Sequence, residues 1–257
     1  MTTDGTPVTA VHADGTATLT LDAPARRNAL SAALVTALRA ALADADADPA
    51  VRAVVLTHTG GTFCAGADLK SPAPPEDFLA LLDGIAALSK PVVARVTGHV
   101  RAGGLGLLGV CDIAAAGPGA TFAFTESHLG LAPAVISAPL LPRLDPRAAA
   151  RYFLTAETFG PAEATRIGLL TLHAEADRPG EGTDPVDVVL APVLAGLRAA
   201  SPQGLAESKR LVAAPVREAL ARDGARLTAL SARLFASDEA REGITARLER
   251  REPSWRS

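Results

Sequence analysis

Hydrophobic residues along this chain alternate between short runs that suit β-strands and longer stretches with the spacing of amphipathic helices. Val8–His12 and Ala17–Leu21 are predicted strands, and the turn residues 13–16 between them predict a hairpin. A helix is predicted from Asn28 into the acidic segment 44–49, because apolar residues recur there at helical spacing: Leu30, Leu34, Val35, Leu38 and Leu42.

Two further predicted strands, Ala53–Thr57 and Pro91–Val96, each lead directly into a glycine-rich segment. Between them, the proline-rich segment 71–75 interrupts regular structure. A helix follows it, with an apolar face at Phe78, Leu81, Leu82, Ile85 and Leu88. Three more elements come in close succession: a short helix over Gly103–Val110 and extended segments over Asp112–Ala116 and Thr121–Phe124. This alternation predicts the α/β class, although the sequence shows no clear internal repeat.

The pattern changes after about Pro185, where helical spacing continues almost without strand signals. An apolar stripe in this part must be buried against the core or another subunit: Leu220, Leu227, Leu230 and Leu234. We therefore expect residues 1–195 to form an α/β core. Residues 196–257 are expected to form a helical region that packs on that core and takes part in assembly.

Composition restricts the possible functions. The chain has 257 residues, is 48% hydrophobic and carries a formal net charge of -3, so we expect neither nucleic-acid nor anionic-lipid binding. Residues 1–5 lack the basic start of a secretion signal, and no apolar run reaches the roughly 20 residues of a membrane span. The sequence thus predicts a cytoplasmic protein without membrane attachment. Cys64 and Cys111 are expected to be small buried residues, with no disulfide and no metal site.

The glycine-rich segments 63–70 and 98–106 carry the first chemical hypothesis. Small residues leave backbone N–H groups uncovered, and two such loops can direct two donors at one point. That arrangement holds an oxygen that becomes negatively charged during a reaction. The two segments therefore predict an oxyanion hole.

A dinucleotide site is an alternative, because Gly104, Gly106 and Gly109 form a G-x-G-x-x-G pattern with Glu126 about 20 residues beyond. A Rossmann fingerprint lies in the tight turn directly after a strand and opens a full helix. Here several residues precede the pattern and a new strand follows it closely, so an oxidoreductase is disfavoured. Signatures of serine hydrolases, zinc proteases and P-loop enzymes are absent from the sequence.

Several ordered motifs are similar to those of the enoyl-CoA hydratase/isomerase (crotonase) family. They are Phe63–Lys70, Lys90–Ala94 leading to Gly98 and Ala102–Gly104, Cys111–Asp112, Glu126–Pro133, Leu141–Arg143 and the C-terminal stretch from Glu242 to Pro253. The resemblance implies a spiral of ββα units followed by a helical region. It also implies assembly as a homotrimer or a dimer of trimers, and an acyl-CoA thioester as substrate, with CoA carried by the substrate and no separate cofactor.

The same resemblance assigns residues to roles. The N–H groups of Ala67 and Gly103 would bind the thioester oxygen, and Glu126 would transfer the proton. The residues implied in CoA binding are Ala65, Asp68 and Leu69 around the adenine, Arg26 and Arg27 near the phosphates, and Lys70 as a further candidate. His58, His99 and His128 are expected to be structural or surface residues, although His99 lies where it could line the site.

This chain departs from the family pattern at Gly106, where relatives with two carboxylates have one of them. Hydration of a 2-enoyl-CoA is the first functional hypothesis, and isomerisation of the double bond is close behind because it needs one base. Residues 133–137 resemble those of methylglutaconyl-CoA hydratase-like proteins, which gives an alternative substrate, and Val135 and Ile136 would narrow the acyl pocket. An acyl-CoA-binding protein with little activity is a further alternative.

Overall fold

The computed structural model describes residues 6–176 and 184–256, so the N-terminal segment Met1–Gly5 lies outside the described residues. Its larger sheet has the strand order β1-β2-β3-β5-β7-β9. These strands are β1 (Val8–Ala13), β2 (Thr16–Leu21), β3 (Ala53–His58), β5 (Val92–Val96), β7 (Ile113–Ala116) and β9 (Leu172–His173). Strands β1 and β2 form the predicted antiparallel hairpin, and the remaining pairs are parallel.

A smaller parallel sheet has the order β4-β6-β8, with β4 (Thr62–Cys64), β6 (His99–Arg101) and β8 (Phe122–Ala123). From β3 onward, consecutive strands of the chain therefore alternate between the two sheets. The pairs β1–β2, β3–β4, β5–β6 and β7–β8 are followed by α1, α2, α3 and α4. The described helices are α1 (Ala32–Ala47), α2 (Pro75–Ala87), α3 (Gly103–Val110), α4 (Ala134–Leu140), α5 (Pro146–Thr155), α6 (Pro161–Arg166), α7 (Pro185–Ala199), α8 (Pro202–Val212), α9 (Ala214–Phe235) and α10 (Asp238–Glu249). This ββα repeat exists in the structure without a visible repeat in the sequence.

The predicted start of the first helix at Asn28 is wrong, since α1 begins at Ala32 after the N-cap Ser31. Asn28 has a φ of 50° and is fully buried. Its side-chain amide donates hydrogen bonds to the carbonyl oxygens of Thr59 and Thr62 at 3.1 and 2.7 Å. A short amide side chain tolerates this left-handed backbone, so Asn28 fixes a loop and does not start a helix.

The C-terminal helices complete the core. Helix α9 packs on α4 and α2, and it buries Leu220 and Leu227 in the main hydrophobic cluster. The predicted division between 195 and 196 falls inside α7, whose Val186 and Leu190 cover the other face of the larger sheet. In the described part of the chain no single helix has the length and hydropathy of a membrane span; α7 and α8 pass that test only as a pair bent by 118°.

A buried ion pair attaches α8 to the sheet. Lys209 Nζ lies 2.8 Å from Asp112 Oδ2, and the two side chains are 2% and 7% exposed. Lys209 also donates to the carbonyl oxygens of Ile85 and Lys90, and Asp112 Oδ2 accepts from the N–H of Val92. These contacts tie α8, α2 and β5 together through Lys209 Nζ and Asp112 Oδ2, while Asp112 Oδ1 has no hydrogen-bond partner among the described residues.

Lys209→Ala should lower the free energy of unfolding by about 3–5 kcal/mol, because Asp112 would remain buried without its counter-ion. The measurement is urea unfolding followed by circular dichroism. Arg210→Ala is the matched control, since Arg210 lies next along α8 and its pair with Glu207 is exposed. Equal losses in the two variants would contradict the structural role of the buried pair.

Candidate active site

A cavity of about 1230 Å³ opens between the two glycine-rich segments and the C-terminal helices. All the residues that the sequence assigns to the site line it: Arg26, Arg27, Ala65, Ala67, Asp68, Leu69, Lys70, Gly103 and Glu126. These residues come from widely separated parts of the chain and are brought together by the segments that follow β2, β4, β6 and β8. Their convergence makes this cavity the candidate active site.

The two glycine-rich segments are in direct contact. Gly66 has a φ of +87°, and a Cβ atom there would lie 2.7 Å from Ala102 Cβ and 3.3 Å from the nitrogen of Gly103. A side chain at Gly66 would therefore collide with the backbone entering α3, and the left-handed φ would add strain. Glycine at this position allows the two loops to approach each other.

Two backbone N–H groups remain unpaired at that contact. Leu30 bridges to Ala67 through hydrogen bonds with Gly66 O and Asp68 N, so the N–H of Ala67 itself points away from Leu30. Gly103 is the first residue of α3, where the N–H has no intrahelical acceptor. Within the described residues, neither N–H donates to a protein acceptor. Together with the positive end of the helix dipole, they can stabilise a developing negative charge.

Glu126 lies in a short 3-10 helix, Glu126–Leu129, that follows β8. Its side chain is buried, and Oε2 has no hydrogen-bond partner among the described residues. Burial disfavours the charged carboxylate and raises the pKa of Glu126 to about 7. A carboxyl group with a pKa near neutrality can both accept and donate a proton, which suits a general acid/base.

Helix α10 holds this 3-10 helix by backbone contact. A Cβ atom at Gly243 of α10 would lie 2.6 Å from the backbone of Leu129, and one at Gly130 would lie 2.6 Å from the backbone of Glu239. The close approach requires glycine on both sides. The C-terminal region thus positions the segment that carries Glu126.

Gly106 lies one helical turn beyond Gly103 and is covered by another side chain. A Cβ atom at Gly106 would be 2.5 Å from Ile136 Cγ2 and 3.4 Å from Phe78 Cζ. Ile136 and Phe78 both line the cavity, and so does Val135. The place that a side chain at position 106 would take is therefore occupied by Ile136.

The remaining glycines of the G-x-G-x-x-G pattern have packing roles inside α3. Gly104 lies against Cys64, and Gly109 lies against Leu140. Because the whole pattern is inside the helix, with no glycine in a preceding turn, it lacks the geometry of a dinucleotide-binding loop. Cys64 and Cys111 are buried, as predicted, and burial raises the pKa of each thiol to about 12.

Of the charged residues at the cavity mouth, Asp68 is hydrogen-bonded within its own loop, whereas Arg27 and Lys70 are exposed. Asp68 Oδ1 accepts hydrogen bonds from the N–H groups of Lys70 and Ser71 at 2.9 and 3.3 Å, so it orders the loop that contains Ala67. Its Oδ2 lies 3.8 Å from Arg26 Nη1. The side chains of Arg27 and Lys70 are exposed to the cavity and could meet an anionic ligand.

The three histidines considered in the sequence analysis occupy surface or structural positions. His99 is exposed on β6, in agreement with the surface role expected for it. Its Nδ1 is hydrogen-bonded to Thr121 Oγ1, and it does not line the cavity, which was the alternative. His128 is exposed on the cavity wall. His58 is hydrogen-bonded within the fold, with Nε2 accepting from the N–H of Thr97, in agreement with the structural role expected for it.

Some lining residues were not identified from the sequence. Phe78 was assigned only to a helix, and Arg247 and Arg250 at the mouth were not singled out as site residues. The C-terminal stretch Glu242–Pro253 was noted only for its family resemblance. In the described part of the chain, no group of three or more His, Cys, Asp or Glu side chains is placed to hold a metal ion.

Comparison with known protein families and structures adds independent information. Residues 12–257 match the family model described as enoyl-CoA hydratase/isomerase. The enoyl-CoA hydratase EchA19 of Mycobacterium tuberculosis is 34% identical over 254 residues, which is 93% of this chain and 92% of that protein.

Solved structures agree over nearly the whole chain. The crystal structure of an enoyl-CoA hydratase from Mycobacterium avium is 48% identical, with a TM-score of 0.89 and coverage of 98% of this chain and 99% of that one. A structure from Mycobacterium avium paratuberculosis K-10 is 50% identical, with a TM-score of 0.90 and coverage of 97% and 99%. These values show that the chain shares its fold with these two structures over nearly its whole length.

The raised pKa of Glu126 predicts a specific dependence of stability on pH. The folded state holds the proton more tightly than the unfolded chain, where the ordinary pKa is 4.5. Its stabilising contribution is therefore complete below about pH 4.5 and is lost as the pH rises through about 7.

Relative to Glu126→Gln, the wild type should lose roughly 1–3 kcal/mol of stability between about pH 5 and about pH 8. Urea unfolding at both pH values measures the difference, and the Gln variant removes the background from all other groups. A constant difference between the two proteins at both pH values would contradict the raised pKa.

Proposed function

The chain belongs to the enoyl-CoA hydratase/isomerase family, and we propose that it hydrates a 2-enoyl-CoA to a 3-hydroxyacyl-CoA. Its fold is the crotonase spiral of ββα units, in agreement with the prediction from sequence. The observation that carries the proposal is the convergence of two unpaired N–H groups, at Ala67 and Gly103, with the buried carboxyl of Glu126 in one cavity.

In the proposed reaction the thioester oxygen binds between the N–H groups of Ala67 and Gly103. Water attacks C3 while the carboxylate of Glu126 takes a proton from it, and the C2=C3 electron pair moves to form an enolate at the thioester. The two N–H groups stabilise the negative oxygen of that enolate. Glu126 then returns the proton to C2, which restores the carboxylate and the thioester carbonyl.

A single carboxylate can perform both proton transfers in sequence, because its pKa of about 7 makes both protonation states accessible near neutral pH. The same group could remove a proton from C2 of a 3-enoyl-CoA and return it to C4. Isomerisation is therefore the second candidate function, and the observation that favours it is that position 106 is a glycine, so Glu126 has no second carboxylate from that position. Neither reaction changes the oxidation state of the substrate overall, so neither needs a redox cofactor.

Acyl-CoA is the proposed ligand, with Arg26, Arg27 and Lys70 near its phosphates and Ala65, Asp68 and Leu69 near its adenine. We also propose a homotrimer or a dimer of trimers in the cytoplasm with a role in fatty acid metabolism. Sedimentation velocity would determine the assembly.

Glu126→Gln should lower kcat by roughly 10²–10⁴-fold, because the amide can neither take nor return the proton. Hydration of crotonyl-CoA and isomerisation of 3-hexenoyl-CoA are measured for both proteins, and calorimetry with butyryl-CoA checks that the binding site is preserved.

Wild-type protein that binds butyryl-CoA but converts neither enoyl substrate would identify an acyl-CoA-binding protein without this activity. If the Glu126→Gln variant turned over as fast as the wild type, the proton transfer would belong to another group. Comparison of the two wild-type rates decides between hydratase and isomerase.

The role of the Gly103 N–H can be separated from its lack of a side chain. Both Gly103→Ala and Gly103→Pro add a Cβ atom 2.7 Å from Leu30 Cδ1, the end of a flexible side chain, but only proline removes the N–H. Proline is tolerated at the first position of a helix. We expect kcat of the proline variant to be about 10²–10³-fold below that of the alanine variant. Equal turnover in two folded variants would exclude this N–H from the oxyanion hole.

A further inference from the structure

One face of α3 connects the proposed oxyanion hole to an apolar wall. Gly103 and Gly106 are three residues apart, so they lie on the same side of the helix. A Cβ at Gly103 would be 3.6 Å from Phe78 Cζ, and a Cβ at Gly106 would be 3.4 Å from the same atom. The ring of Phe78 therefore lies close to both glycines, and Ile136 lies next to Phe78 at Gly106.

Ile136 is firmly placed at this wall. It is 3% exposed and belongs to α4, which packs between α3 and the long helix α9. Its Cγ2 methyl group occupies the space above Gly106, where a Cβ atom would lie 2.5 Å away. A β-branched side chain has little rotational freedom in a helix, so this methyl group is a fixed boundary.

An acyl chain whose carbonyl oxygen is held at Gly103 must place its following carbons along this face. Leu30, Phe78 and Ile136 are the side chains that approach the Gly103–Gly106 face most closely, and all three are apolar. The charged residues at the cavity mouth, among them Arg27 and Lys70, belong to other segments. The wall therefore favours an uncharged acyl group of limited length.

We propose that Ile136 is the specificity-determining residue of the acyl end of the cavity, where it limits the substrate to short, uncharged acyl chains. The proposal rests on the proposed function, because it takes the site at Gly103 as the position of the thioester. The proposal also assigns a role to Gly106. Because Gly106 has no side chain, the Cγ2 methyl group of Ile136 can occupy the space above it.

The test compares Ile136→Ala with the wild type on crotonyl-CoA and 2-octenoyl-CoA. Shortening Ile136 should raise the ratio of kcat/KM for the longer over the shorter substrate by roughly 10- to 200-fold, the range for a few methylene contacts. Ile136→Val removes one methyl group and keeps Cγ2, so it should shift the ratio in the same direction by less. This variant keeps the test available if the alanine variant does not fold.

Leu140→Ala is the matched control. Leu140 is a fully buried residue of the same helix that packs against Gly109, and it is absent from the cavity lining. It should lower stability without changing the substrate ratio. A ratio that is unchanged in both Ile136 variants, or that shifts equally in Leu140→Ala, would overturn the proposal.

Binding of saturated thioesters separates this proposal from the proposed reaction. Calorimetry with butyryl-CoA and octanoyl-CoA requires no turnover, so Ile136→Ala should still gain affinity for the longer chain if the wild type proves inactive. A wild type that binds a glutaryl-CoA, with its terminal carboxylate, more tightly than an uncharged chain of equal length would overturn the proposal.

A double-mutant cycle tests the contact itself. Gly106→Ala should lower the melting temperature strongly in the wild type, because its Cβ meets Ile136 Cγ2. The same substitution should have a smaller effect in the Ile136→Ala background, where that methyl group is missing. Additive effects would show that the two positions do not share this space.

Discussion

The close approach of the backbone at Gly66 to the first turn of α3 is the constraint on which the site depends. A Cβ atom at Gly66 would meet Ala102 Cβ at 2.7 Å, so any larger residue would force the two segments apart. The N–H groups of Ala67 and Gly103 then could not face one cavity. Leu30 supports the same contact by bridging to Ala67, and Ser31 bridges to Pro72, so these two residues are held by neighbouring segments and do not belong to α1.

The C-terminal region reaches the site through two close backbone contacts and one packed helix. Helix α10 approaches the 3-10 helix of Glu126 at Gly130 and Gly243, while α9 packs on α4 and thereby supports Ile136. The buried Lys209–Asp112 pair attaches α8, which precedes α9 and α10 in the chain, to the sheet. The helical region is therefore part of the same structural unit as the site, and it positions both the carboxyl group and the apolar wall.

Glu126 shows how function and stability oppose each other at this site. A buried carboxylate oxygen without a partner destabilises the charged folded state, and the same burial raises the pKa of Glu126 to about 7. A hydrogen-bond donor beside Oε2 would lower that pKa and favour the permanently charged form. The absence of such a donor among the described residues preserves the ability to exchange a proton near neutral pH.

The sequence by itself determined the longer strands, most helices and the identity of the two glycine-rich segments, because hydrophobic periodicity and turn residues are local signals. Its resemblance to a known family also selected Glu126, Ala67 and Gly103, which line one cavity in the structure.

Only the tertiary structure placed Ile136 above Gly106, brought Phe78 beside Gly103 and excluded His99 from the cavity. It also revealed the ββα repeat, because β4, β6 and β9 have only two or three residues each and are too short to be recognised from sequence. These features depend on contacts between residues far apart in the chain, and no local pattern of polar and apolar positions encodes them.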